Sequence, residues 1–291
     1  MRIQKQFLGP TKIIAPLMIL SFVWLAPTAS GADYGTRVEL SRKRADRTIT
    51  SLQLADPDFT MPPSVTTSNI GAGVQTLDLL IFCVNLFTGE IIPNCNVQLT
   101  HEPEASSGGH SHDGNRPRGT FTPDAGNTGP SGFLAVTYTA PEASGIIDTT
   151  ITGSLQDGTP LLPGMFTIGV RIDGLEPLPA GTNYVLVGST ATHPDNHYGI
   201  ATLNNSLITL ANNYAAAFPG QQLRYNDMSL AEGGLFDIGG GWSPPHVSHR
   251  FGMDGDVALV PPVQRNRLRQ LIRAAGISTV IVEGNHWHLR Q

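Results

Sequence analysis

Gly132-Phe133-Leu134-Ala135-Val136-Thr137-Tyr138-Thr139-Ala140-Pro141 is the stretch whose reading decides the fold of the first half of this chain. Its apolar and β-branched residues approximate a period of two, as a half-exposed strand requires, and Gly and Pro bracket it. Working outward, runs of the same character lie at Thr76 to Leu86, Asn96 to His101, Ile146 to Leu155 and Met165 to Ile172. Gly, Pro, Asn and Asp clusters separate them. Short strands at this spacing predict an all-β sandwich over residues 61–176.

The composition agrees. The chain has 291 residues with 32 Gly and 22 Pro, which fits about two domains and a turn-rich, largely β part. Residues 1–32 have the order of a secretory signal peptide: Arg2, Lys5 and Lys12, an apolar run from Ile13 to Leu25 interrupted by Pro16, then small residues to Ala32. The run is too short for a comfortable membrane span, so the processed protein is not expected to be integral to a membrane. Without these residues 15 Lys+Arg face 23 Asp+Glu, an acidic balance that argues against nucleic-acid partners. The expected location is secreted or periplasmic. Residues 33–60, with Ser41-Arg42-Lys43-Arg44 and Arg47, are read as a solvated linker.

Two Cys are present, Cys83 and Cys95, with turn residues between them. In an oxidising compartment the pair is read as a disulfide. Gly108-Gly109-His110-Ser111-His112-Asp113-Gly114-Asn115 places two His beside an Asp. A Gly-rich loop fixes no geometry, so this segment is expected to be flexible and exposed.

After Pro177-Leu178-Pro179 the periodicity changes. Leu203, Leu207, Leu210, Ala211, Tyr214 and Phe218 recur at three- and four-residue intervals, predicting an amphipathic helix over 203–218 that Pro219-Gly220 ends. Gln222 to Asn226 reads as a strand. Val263, Leu268, Leu271, Ile272 and Ala275 predict a second helix, and Thr279-Val280-Ile281-Val282 a buried strand. Residues 177–291 are therefore expected to form an α+β domain with a small antiparallel sheet.

Six of the nine His lie in roughly the last hundred residues. On a strand, His286 and His288 share a face while Trp287 points the other way. His249 and Asp256 lie seven apart, with Gly252 and Gly255 between them to permit a turn. Two imidazoles and a carboxylate suit zinc and leave a fourth position for water.

Ser248-His249-Arg250-Phe251-Gly252-Met253-Asp254-Gly255-Asp256-Val257 resembles the Ser-His-Gln-X-Gly-Leu-Asp-Val-Asp signature of penicillin-insensitive murein endopeptidases. That family belongs to a group with lysostaphin-type peptidases, D-Ala-D-Ala peptidases and the hedgehog signalling domain, marked by His-X6-Asp and a later His-X-His. His246, Asn196-His197-Tyr198-Gly199 and Asn226-Asp227-Met228 with Gly233-Gly234-Leu235-Phe236 are similar to further segments in the same order. The resemblance covers roughly residues 185–291. It implies zinc ligands at His249, Asp256 and His288, and catalytic roles for His286 and Glu283. His246, Asp254, Asn226 and Asp227 would line the pocket or hold the ligands. Arg250 departs from the usual Gln, and only 29 residues separate Asp256 from His286, which puts the bond that is cut in doubt. Separately, the Gly132-Phe133…Tyr138-Thr139-Ala140-Pro141…Gly145 pattern is similar to bacterial immunoglobulin-like modules.

The expected function is that of an exported zinc peptidase acting on peptidoglycan peptides. The alternative is a non-catalytic, zinc-containing extracellular binding or adhesion protein of the same fold. Serine-nucleophile, dinucleotide-binding and phosphate-loop motifs are absent from the sequence.

Overall fold

The computed structural model describes residues 34–40, 58–65, 73–243 and 248–291. The signal segment, the basic cluster at 41–47 and His246 lie outside the described residues.

The first half is built from two sheets. One contains β1 (Tyr34–Leu40), β3 (Thr76–Asn85), β5 (Thr120–Thr122) and β7 (Phe133–Thr139), in the order β1-β3-β7-β5, all antiparallel. The other contains β2 (Phe59–Met61), β4 (Asn96–Pro103), β6 (Ala125–Asn127), β8 (Gly145–Ser154) and β9 (Gly164–Val170), in the order β2-β9-β8-β4-β6. Alternate residues of each strand turn inward: Leu79, Ile81 and Cys83 from β3, Ile147, Thr149 and Ile151 from β8. Val136 and Tyr138 of β7 meet Val97, Leu99, Phe166 and Ile168 in one apolar core between the sheets. Each such side chain contributes about 1.5–3 kcal/mol by leaving water. The result is a sandwich.

Two expectations are corrected here. Tyr34–Leu40, read as part of a linker, is an edge strand paired along its whole length with β3. Thr36 and Val38 face inward, while Arg37 and Glu39 pair at 3.0 Å on the other face. Cys83 and Cys95 are free thiols, not a disulfide. Both are buried in the sandwich core, where burial pushes the Cys83 thiol up and the Cys95 Sγ lies 3.6 Å from the Ile92 carbonyl.

The second half has its own core. β10 (Leu175–Pro177) pairs with β12 (Tyr198–Ile200). A mixed sheet runs β11 (Tyr184–Leu186), β13 (Leu223–Tyr225), β14 (Asp254–Ala258), β16 (His286–Arg290), β15 (Thr279–Val282). The expected antiparallel sheet is present as four strands, but β11 adds to β13 in parallel. Helix α1 (Ala201–Ala217) buries Leu203, Leu207, Leu210, Ala211 and Tyr214 against Trp287, Leu289, Val257 and the inner face of α2 (Arg265–Ala274). Thr279–Val282 is an edge strand rather than a buried one, with Ile281 and Val282 about half exposed. Among the described residues no helix is long and apolar enough to cross a membrane.

The halves are joined closely. Ser144 Oγ donates to the Gly233 carbonyl at 2.6 Å, Leu235 N to the Glu142 carbonyl at 2.8 Å, and the wholly buried Arg250 reaches Glu142 at 2.8 Å. Arg250 is thus committed to the junction with the sandwich.

Candidate metal centre

Strands β14 and β16 lie side by side with Asp256 opposite His288 and Asp254 opposite Arg290. On β16, Trp287 and Leu289 enter the core, so His286, His288 and Arg290 emerge on the other face. His249 arrives from a single turn of 3₁₀ helix, His249–Phe251, that ends at Gly252. Gly252 has φ +66°, and a Cβ there would fall 2.2 Å from Leu175 Cδ2, so this reversal requires glycine.

The three side chains converge. One ligand atom from each of His249, Asp256 and His288 lies within 4.8 Å of the others, and all three residues are buried. His249 Nε2 is 3.5 Å from Asp256 Oδ2, and the His249 and His288 rings meet edge to face. His288 Nδ1 is 2.9 Å from Asp256 Oδ1, while its Nε2 donates to Asp254 Oδ1 at 2.8 Å. Arg290 Nε donates to that same Asp254 oxygen at 2.6 Å. Burial opposes charge on His288, but hydrogen bonds to Asp254 and Asp256 outweigh it and lift the ring to about 9. Burial likewise pushes Asp256 up, and the nearby His249 imidazole together with the hydrogen bond from His288 overturns this, holding its carboxyl well below the usual range.

The remaining candidates fall around this group. His286 Nε2 lies 3.3 Å from Asp256 Oδ2 and 3.3 Å from Glu283 Oε2, and its Nδ1 is 2.8 Å from Asn285 Oδ1. Glu283 is half exposed, so the pair forms the solvent-facing side. Asn226 and Asp227 grip the backbone of Asp256: Asn226 N donates to its carbonyl at 2.8 Å, and its own N–H reaches the Asp227 carbonyl at 2.9 Å. Asp227 in turn accepts from Asn196 Nδ2 and Asn226 Nδ2, each at 2.8 Å, and burial raises its pKa. Arg290 had no signal of its own in the sequence as a member of the site, and Asn196 figured there only within the Asn196-His197-Tyr198-Gly199 segment.

A second group of His and Asp side chains, the buried His110, His193 and Asp237 with the partly buried His112, also could hold a metal ion. The loop expected to be flexible and exposed is corrected by this placement. Arg116 holds it folded, donating to the carbonyls of Glu104, Ser107 and Ser144 at 2.7–2.9 Å, and His110 is fully buried.

No protein-family model matches this chain, and no curated protein matches it. Fifteen chains of solved structures do. One is the adhesin InvE of Yersinia pseudotuberculosis, 14% identical with a TM-score of 0.31, the match covering 50% of this chain and 34% of that one. Another is the D00-D0 domain of intimin, 12% identical with a TM-score of 0.20, covering 32% of this chain and 38% of that one. This chain therefore spans well under half the length of either.

Proposed function

We propose that the chain is a zinc-dependent peptidase of the cell envelope that hydrolyses amide bonds in peptidoglycan peptides. The observation that carries this reading is the convergence of His249, Asp256 and His288 beside a half-exposed Glu283–His286 pair. The residues suit the ion. Asp256 Oδ2 is buried without a hydrogen-bond partner among the described residues, although two imidazole nitrogens stand 3.3–3.5 Å from it. Such an orphaned carboxylate oxygen is costly unless a cation takes it up. His249 Nε2, Asp256 and His288 Nδ1 are the atoms that would hold zinc, and three protein ligands leave a tetrahedral ion one further position.

Bound there, zinc supplies Lewis acidity and brings water to a pKa of about 7. The chain's own residues do the rest. Asp254 orients His288 by accepting a hydrogen bond from its Nε2, which leaves Nδ1 to face Asp256. Amide hydrolysis joins the oxygen of water to the carbonyl carbon, breaks the C–N bond and delivers a proton to the departing nitrogen. His286 and Glu283, 3.3 Å apart at the open side, are the pair placed to carry that proton. The motifs shared with murein endopeptidases support peptidoglycan as the substrate class, and the sandwich is read as an immunoglobulin-like module that sets the reach of the site.

The test is release of soluble fragments from purified peptidoglycan by the processed chain, with and without chelator. Release that chelation and His288→Ala both abolish supports the reading; undiminished release after either one ends it. If zinc binds but nothing is released, and His246→Ala loses the ion, the site is closed by His246 and the protein is a non-catalytic binder.

A further inference from the structure

Four side chains at the junction of the two halves have an arrangement that hydrogen bonding does not explain. His110 and His112 come from the loop after β4, whereas His193 and Asp237 belong to the second half. His110 Nδ1, His112 Nε2 and His193 Nε2 lie 3.2–3.3 Å from one another. Asp237 Oδ1 is 3.0 Å from His193, 3.3 Å from His112 and 3.5 Å from His110. All six separations are therefore nearly equal, which defines a tetrahedron. Ligands about 2.0–2.1 Å from a central ion stand about 3.3–3.4 Å apart along each edge of such a figure.

A hydrogen-bond network gives another pattern. Each neutral imidazole has one proton and directs it at one acceptor, so short and long distances alternate. Here three ring nitrogens point at a common centre. Asp237 contributes a single oxygen, because its Oδ2 accepts the backbone N–H of Trp242. The Trp242 ring covers the group, its centroid 4.7 Å from that of His110 and 4.3 Å from that of His112.

We propose that His110, His112, His193 and Asp237 hold a divalent ion of the zinc class in a closed, structural site that staples the sandwich to the second half. Three imidazoles and a carboxylate complete a tetrahedron with protein ligands alone, the mark of a structural centre. Phe236 separates this site from the one at His249, its ring centroid 5.2 Å from His193 and 6.5 Å from His249. The backbone bond from Ser111 N to the Thr192 carbonyl, 2.8 Å, presets the two loops for the ion.

The proposal does not depend on peptidase activity, and its test reads metal directly. Zinc content is measured on the full chain carrying His249→Ala and His288→Ala, which removes the other centre. About one zinc ion per chain is expected to remain, and adding Asp237→Asn or the more exposed His112→Ala should remove it. Cobalt loaded in place of zinc should give the intense visible absorption of a four-coordinate ion, lost in the same variants. A chain that retains no zinc once the other centre is removed, or whose zinc and cobalt spectrum survive both Asp237→Asn and His112→Ala, overturns it. Should the combined variant fail to fold, Asp237→Asn or His112→Ala made alone is expected to lower the zinc count by about one ion relative to the unaltered chain, and an unchanged count overturns the proposal.

Discussion

Replacing Asp254 should weaken metal binding at the His249–Asp256–His288 centre without removing a ligand. Asp254 is buried, and one of its oxygens receives both His288 Nε2, at 2.8 Å, and Arg290 Nε, at 2.6 Å. Losing an outer partner of this kind costs about 10–100-fold in metal affinity. At 1.36 kcal/mol per decade this is about 1.4–2.7 kcal/mol. Asp254→Ala should reach the upper end, because it frees the His288 ring and leaves the Arg290 charge facing it. Asp254→Asn keeps an acceptor oxygen but not the charge, so its loss should be about tenfold. The assay is competition against a chelator of known zinc affinity, scoring only the ion that His288→Ala removes. Affinities within about threefold of the parent for both variants would refute the argument, as would Asn weakening binding more than Ala.

Trp287 is buried against α1 and the sheet, so Trp287→Ala should cost about 3–5 kcal/mol by chemical denaturation, and a cost under about 1 kcal/mol contradicts the packing described. Glu142→Ala takes the carboxylate away from the buried Arg250 guanidinium and should destabilise by about 3 kcal/mol, while Glu142→Leu combined with Arg250→Met should recover most of it; denaturation midpoints of the single and double variants check both. Burial raises the pKa of Glu232, with Arg171 and Arg116 opposing. A carboxyl raised in the folded state destabilises it as pH climbs from the unfolded value near 4.5 through the folded one. Glu232→Gln should therefore stabilise the protein at pH above that window and lose its advantage below it, which denaturation midpoints at acid and neutral pH would show. Alkylation of the unfolded chain should find Cys83 and Cys95 both reactive without prior reduction; protection of either contradicts the free thiols.

What the sequence revealed follows from how local each signal is. The strands at Thr76–Asn85, Phe133–Thr139 and Gly145–Ser154 and the helix at Ala201–Ala217 show themselves because one buried face repeats along them. Thr120–Thr122 and Ala125–Asn127 are too short to carry a period, and Tyr34–Leu40 sits beside a run of charge that masks its alternation. The apolar run Thr279–Val282 looks the same at an edge as in the middle of a sheet, since position depends on partners elsewhere in the chain. Spacing could place His249 and Asp256 on one turn and His286 and His288 on one strand face, and the resemblance to murein endopeptidases picked out His249, Asp256 and His288 among them. His110 and His112 meet His193 and Asp237 only through the packing of the two halves, and no spacing encodes that meeting.

The alternation along β16 has a cost if it fails. A slip of one residue against β14 would carry His288 inward and set Trp287 facing solvent. The gathering of His249, Asp256 and His288 and the packing of the core would be lost in the same event. The large indole at 287 acts as the alignment pin of the face that carries His286 and His288, from the opposite side of the strand.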